Sequence, residues 1–493
     1  MKTLDLAVIL AYFAVTIGVG LWVTRNQRTV GDYFLGSRDL PTWTVLLSIV
    51  ATETSALTVI SVPGIGARGD LTFLQLPLGY LVGRIAVAWW LLPGYFQGTQ
   101  ETAYTRLETR FGPGTRRTLS AAFLVTRFLG DGVRIYAGAI PLALVTGWSI
   151  PTSIIAMGAV TVLYTYFGGL KAVVWADVLQ LAIYLMGGAA ALWIAWDLAG
   201  GMTNALSEAA AAGKLRFVDA RFDLTATYTL IGGLVGGGML SAASHGTDHL
   251  IVQRLLSTRS LGDARRALVG SGVVVIFQFV LFLLAGSAIW AAGRAPADLP
   301  ADQIFPRFIA ESLPTGIAGL VIAGILAAAM STISSSINAL ASAVTHDFYV
   351  PATGRTDPAH LMRVGRGVSA AWGAALILAA LGFHRYATGN DTPVVVLALS
   401  IASVTYGALL GTYLLAGVRG IQGPHVVTGA GVAMAVMLVV IFAGRLSGAV
   451  PALAPLGRLA WPWYVPLGTA LCMLVGWLGS RIRPLTGAST RLP

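Results

Sequence analysis

About thirteen stretches of roughly 20 consecutive, mostly apolar residues recur along this chain, and they restrict its fold more than any other feature. A helix of ~20 residues spans a hydrocarbon core ~30 Å thick. In lipid every backbone N–H and C=O must be paired within the chain, so only helices or closed barrels cross. Runs this long and continuous do not suit barrel strands. They fall at 4–23, 43–64, 77–96, 118–147, 152–167, 172–199, 228–246, 267–292, 313–344, 365–384, 392–417, 424–445 and 461–480. Of the 493 residues 11% are charged, where a soluble domain carries about 25%. The expected class is an all-α integral membrane protein with about 13 transmembrane helices.

The first run follows Met1-Lys2 as a secretory signal would. It is nearly 20 residues long, however, and ends in Val-Thr-Arg-Asn instead of a small-residue cleavage site, which predicts a retained helix. The single cysteine, Cys472, excludes an internal disulfide and is expected to be a packed thiol.

A net charge of +11 would suit nucleic acid, but its distribution points to membrane topology. With the amino terminus outside and loops alternating, 19 Lys and Arg fall in inner loops and ten in outer segments, with Arg84, Arg127 and Arg134 inside helices. By the positive-inside rule the carboxyl terminus is then cytoplasmic, in a plasma (bacterial inner) membrane.

The sequence contains no HExxH, Walker loop, CxxC or GxSxG, so no enzyme is expected. A many-helix chain without a nucleotide site is a channel, a transporter-like sensor or an ion-coupled carrier, and interrupted helices favour the carrier. The tail after the last run, SRIRPLTGASTRLP, is too short for a sensor's output domain. Two runs look interrupted. In LLSIVATETSALTVISVPG, Glu53 sits among hydroxyls ahead of Pro63-Gly64. A charge at membrane depth costs ~2.5–3.5 kcal/mol on insertion scales unless partnered. In LIGGLVGGGMLSAASHG, five glycines fall in seven positions, which either weakens the helix or permits close packing. Each of these runs opens a set of five, the pattern of an inverted five-helix repeat.

The ninth run ends in AAAMSTISSSINALAS, residues 327–342, unusually rich in hydroxyls for an apolar segment. At about 100° per residue, Ser331, Ser334, Ser335, Asn338, Ser342 and Thr345 share a stripe about 100° wide, with Thr332 about 100° from Ser331. A lone hydroxyl in a membrane helix commonly bonds its own i−4 carbonyl. A cluster of neutral oxygens suits a hard monovalent cation, sodium in preference to a transition metal.

These segments resemble the sodium:solute symporter family over nearly the whole length. The carrying motifs are DYFLGSRDLPTW (32–43), ATETSALTVISVPG (51–64), YFGGLKAVVWADVLQ (166–180), GTDHLIVQRLLS (246–257) and AAAMSTISSSINALASAVTHDFY (327–349). The resemblance implies a LeuT-type fold with two inverted five-helix repeats, at 43–199 and 228–417. Residues 1–42 would add an amino-terminal helix and loop, and 418–493 two further helices and a short tail. It also implies sodium-coupled uptake of a small polar or anionic organic solute by alternating access, with no partner protein.

In such symporters one sodium lies between the first core break and the eighth core helix. Matched residue by residue, that implies carbonyls of Ala51, Thr54 and Ala328 and hydroxyls of Ser331 and Thr332. A second sodium in the family's sialic-acid carriers would match Ser331, Ser334, Ser335 and Asp177. For Asp177 a proton relay and a cap on the GGLK turn stay open as alternatives. Substrate-facing positions match Glu53, Ser55, Thr58 and Phe73. Glu53 stands where those carriers have a neutral residue and proline-type members an acid, and Pro77 where they have glutamine. In the fourth run Arg127, Asp131 and Arg134 share a helix face, two arginines on one aspartate. They form either a structural triad or, through Arg134, a carboxylate receptor.

Overall fold

The computed structural model describes residues 3–23, 29–98, 100–387 and 394–482. Of the charge count, Lys2, Arg25, Arg28, Arg483 and Arg491 lie outside the described residues, as do 392–393 of the eleventh run and 483–493 of the tail.

Each apolar run lies on helix. The first is α1 (Thr3–Val23). The second is broken into α2 (Thr42–Glu53) and α3 (Ala56–Arg68), bent by 70°. Next come α4 (Gln75–Ala86), which continues to Tyr95, and α5 (Pro113–Thr146). The 49-residue α6 (Ile150–Leu198) would be roughly 73 Å long if straight, twice a bilayer core. It is interrupted at Gly169 (φ 50°, ψ −153°), between the fifth and sixth runs. A Cβ there would meet the Tyr33 carbonyl oxygen at 2.4 Å, so both the backbone angle and the close approach call for glycine.

The seventh run is a π-helical stretch, Gly232–Gly237, leading into α7 (Gly238–Gly246) and then α8 (His249–Leu256). The rest is α9 (Leu261–Ala291), α10 (Ile317–Ala343), α11 (Pro358–Ala387), α12 (Val394–Leu415), α13 (Gly423–Leu446) and α14 (Tyr464–Ile482). Eight helices among the described residues are long and apolar enough to cross a membrane, nine with α2–α3 counted as one span.

The break in the seventh run is not at its glycines. These hold helical geometry and pack: a Cβ on Gly79 of α4 would lie 1.9 Å from the Gly233 carbonyl oxygen, and one on Gly236 2.4 Å from that of Pro462. The helix stops later, at Thr247 and Asp248, before α8. Glycine density therefore marks contact between backbones, and the interruption lies where Asp248 caps the next helix by accepting from Leu250 N–H at 2.9 Å.

At the centre stands α10, with 83% of its most apolar window buried against 22% for α1. A helix hydrophobic all round is a core helix. It packs along α6, α5 and α1, and every hydroxyl of its stripe is sealed from solvent. Cys472 is buried as a free thiol.

Candidate substrate and ion site

The 70° bend at Thr54 and Ser55 removes the last carbonyls of α2 from the line of any following N–H. Ser55 restarts the helix as its cap, accepting from Thr58 N–H at 3.4 Å. Two sets of groups gather around this break, one in a cavity and one against α10.

The cavity measures about 330 Å³. Glu53, Ser55, Thr58, Phe73 and Arg134 all line it, so the structure brings these sequence candidates together. Its other polar wall comes from α7, with Ser241, Ser244 and His245. Phe73 packs against Tyr228 and Phe279, with ring centroids 5.3 and 5.1 Å away. Glu53 is ion-paired with Arg84 of α4, which is fully buried, and lies 3.6 Å from His245 Nε2. Ser271 accepts from the same guanidinium at 2.6 Å.

The α5 charges differ from the expected triad. Arg127 turns to Asp248 at the second break, where the Tyr406 hydroxyl also donates at 3.1 Å, and stands 3.6 Å from Asp131. Arg134 pairs with Asp131 at 2.8 Å, and Ser336 of α10 donates to the other oxygen of that carboxylate. Two arginines thus face two aspartates. The positive charge that the sequence leaves over is cancelled by Asp248, which lies over a hundred positions away.

On the α10 side the stripe splits. The Thr332 hydroxyl lies 3.2 Å from the Ala328 carbonyl oxygen and 3.4 Å from that of Thr52 at the break. Ser331 points away and donates to Asp177 at 2.6 Å. Neighbouring residues on a helix diverge by about 100°, and these two do. Thr54 bonds the Val50 carbonyl and exchanges hydrogen bonds with Gln278 of α9, at 2.8 and 3.1 Å.

Asp177 is fully buried in the second half of α6. It accepts from Ser48 (2.5 Å), Thr52 (3.3 Å) and Ser331, and it pairs with Arg254 at 3.1 Å. Arg254 also donates to Ser48 at 2.8 Å and to Ser335, while Ser334 bonds back to the Ser331 carbonyl at 3.1 Å. The charge count puts Arg254 in an inner loop; the structure puts it in the core with no exposure. Asp177 has one charge, and a guanidinium already neutralises it. Of the residues expected to hold a second sodium, Ser331 and Asp177 are bonded to each other, Asp177 and Ser335 are both engaged by Arg254, and Ser334 is turned back to its own helix. Asp177 does not cap the GGLK turn, where Lys171 pairs with Asp39 at 3.1 Å.

Sequence reasoning missed Arg84, His245, Asp248, Arg254 and Gln278. Gln278, as the one amide in the apolar run VVVIFQFVLFLL, and Arg84, as a charge inside the third run, carried local signals. The others become partners only through packing of distant segments. Outside the membrane, Arg221 hydrogen-bonds the Asp219 carboxylate and holds its pKa down at about 2.

The sodium:solute symporter family is matched over residues 33–418. The chain belongs to this family. It is 30% identical to the human sodium/iodide cotransporter over 464 residues, 90% of this chain and 70% of the relative. It is also 30% identical to the sodium/sialic acid symporter of Proteus mirabilis (strain HI4320), over 70% of this chain and 71% of that one. The solved substrate-bound, outward-open structure of a Na+-coupled sialic acid symporter superposes with a TM-score of 0.85 at 25% identity, covering 98% of both chains. A closed nucleobase-cation-symport-1 family transporter shares the fold at a TM-score of 0.56 and 16% identity, over 93% of this chain and 96% of that one. This symporter is a membrane-embedded, sodium-coupled secondary transporter of the LeuT-type fold, not an enzyme.

Proposed function

We propose that this symporter carries a small polar organic solute inward across a plasma membrane, with its amino terminus outside and its carboxyl terminus in the cytoplasm. Sodium is held at the α2–α3 break by carbonyls of Ala51, Thr54 and Ala328 and by the Thr332 hydroxyl, while Ser331, which donates to Asp177, stands outside this shell and the solute occupies the cavity beside it. The five-helix repeats are taken to span 43–199 and 228–417. The orientation rests on the excess of basic residues in inner loops.

The observation that carries this reading is the double use of one break. Glu53 and Ser55 face the cavity, while the Thr52 carbonyl between α2 and α10 accepts from Thr332. A solute that settles the break geometry also settles the ion's oxygens, and linkage makes that coupling reciprocal. One sodium moving down 100 mV supplies ~2.3 kcal/mol.

The test is uptake into proteoliposomes under an inward sodium gradient. Uptake should require sodium, and Thr332→Ala should raise the half-maximal sodium concentration at least tenfold with protein yield intact. Equal uptake under a potassium gradient would sink the reading.

A further inference from the structure

The cavity presents one negative and one positive group, each with its counter-ion hidden behind it. Glu53 is 22% exposed and its partner Arg84 not at all. Arg134 is 25% exposed and its partner Asp131 1%. The third pair, Arg127 with Asp248, is 10% and 1% exposed. These charges sum to zero, so the walls have no net charge to offer a monoanion or a monocation. What they offer is a dipole, with a carboxylate on α2 and a guanidinium on α5 facing the same 330 Å³.

The α2 end has a further requirement. His245 Nδ1 lies 2.8 Å from the Ser244 hydroxyl, which can donate to it, and 3.2 Å from the Ser241 carbonyl oxygen, which can only accept, so its neighbours accommodate either tautomer of the ring. Nε2 faces Glu53 Oε2 across 3.6 Å, beyond hydrogen-bond length, and it is a buried nitrogen with no hydrogen-bond partner. Arg84 already occupies Oε2, so the side of the Glu53 carboxylate that opens on the cavity is left to accept an N–H.

We infer that the transported solute is a small zwitterion whose ammonium bears at least one N–H. The ammonium sits at Glu53 and His245, the carboxylate on the Arg134 guanidinium, and the apolar part against Phe73 and Phe279. This rests on the reading of the cavity as the solute site. The Arg134 fork suits a carboxylate in a bidentate grip, which a lysine ammonium cannot reproduce.

The test uses the reconstituted full-length protein and a labelled panel: the twenty amino acids, glycine betaine, lactate and glucose. At least one amino acid should enter under a sodium gradient. Its N-acetyl derivative and its methyl ester should compete at least a hundredfold more weakly, and betaine, which lacks an N–H, at least tenfold more weakly. Arg134→Gln should raise KM at least tenfold, with Arg134→Lys recovering little. Should Arg134→Gln not fold, Glu53→Gln is the second arm: the N-acetyl competitor should gain at least tenfold on the parent. Sodium-driven entry of lactate or glucose alone would overturn the zwitterion and leave symport standing. Absence of sodium-driven entry for every amino acid would overturn it too. Entry of any probe without sodium dependence would instead strike the symport reading.

Discussion

Glu53 and Asp177 are carboxylates at membrane depth, each paired with an arginine of zero exposure, yet they stand in opposite settings. Asp177 on α6 is sealed, and its arginine, its two serines and its threonine come from three other helices: Ser48 and Thr52 from α2, Arg254 from α8, Ser331 from α10. Glu53 keeps a fifth of its side chain open to a cavity and leans on α4 and α7. The difference separates two uses of a buried ion pair. A sealed pair with every oxygen engaged fixes how helices stand relative to one another; a pair with one open side is free to accept a ligand. Neither is by itself a source of stability, since desolvation offsets much of the attraction.

The largest expected effect is at the sealed pair. Arg254→Met strands a carboxylate that water cannot reach, and breaking such a pair costs about 3–5 kcal/mol. The melting temperature in detergent should fall by many degrees, and the double variant Arg254→Met, Asp177→Asn should recover most of the loss because no unpaired charge remains. A single variant as stable as the parent would erase the distinction between the two pairs.

At the open pair the order of effects reverses. Glu53→Gln keeps an acceptor for Arg84 and leaves the guanidinium its bond to Ser271. Its destabilisation should be about 1.5–3 kcal/mol, the range for a hydrogen bond to a charged group. Transport, by contrast, should drop at least tenfold in kcat/KM. Unchanged transport with a large fall in melting temperature would make Glu53 a strut like Asp177.

Much of this contrast was legible before the fold was known, because it depends on local signals. Hydroxyls and an acid ahead of Pro63-Gly64 mark the α2–α3 break, the stripe at 331–345 marks the core helix, and the gap between the fifth and sixth runs falls at Gly169. The cavity residues Glu53, Ser55, Thr58 and Phe73 share one stretch of chain around that break. What remained hidden is pairing at long sequence separation. Arg254 sits 77 positions from Asp177, and Arg127 sits 121 from Asp248. Helical periodicity states which face a residue occupies, not which distant charge meets it. The glycines of the seventh run misled for a related reason, since glycine permits both a break and a close contact and only the neighbour decides.

The smallest expected effect separates the two pairs through single hydroxyls. Ser48 bridges its pair, accepting from Arg254 at 2.8 Å and donating to Asp177 at 2.5 Å, with no exposure. Ser271 touches only the arginine of the other pair, accepting at 2.6 Å while donating to the Leu268 carbonyl at 2.6 Å. Ser48→Ala therefore removes a donor and an acceptor from a fully desolvated pair, and hydrogen bonds to charged groups are worth about 1.5–3 kcal/mol each. Ser271→Ala removes one such acceptor, beside a carboxylate that solvent entering the cavity can reach. Chemical denaturation in mixed micelles should show Ser48→Ala less stable than Ser271→Ala by about 1 kcal/mol, in keeping with the net value of one further hydrogen bond. Equal losses would mean that water reaches both pairs alike, and the sealed character assigned to Asp177 would fall with it.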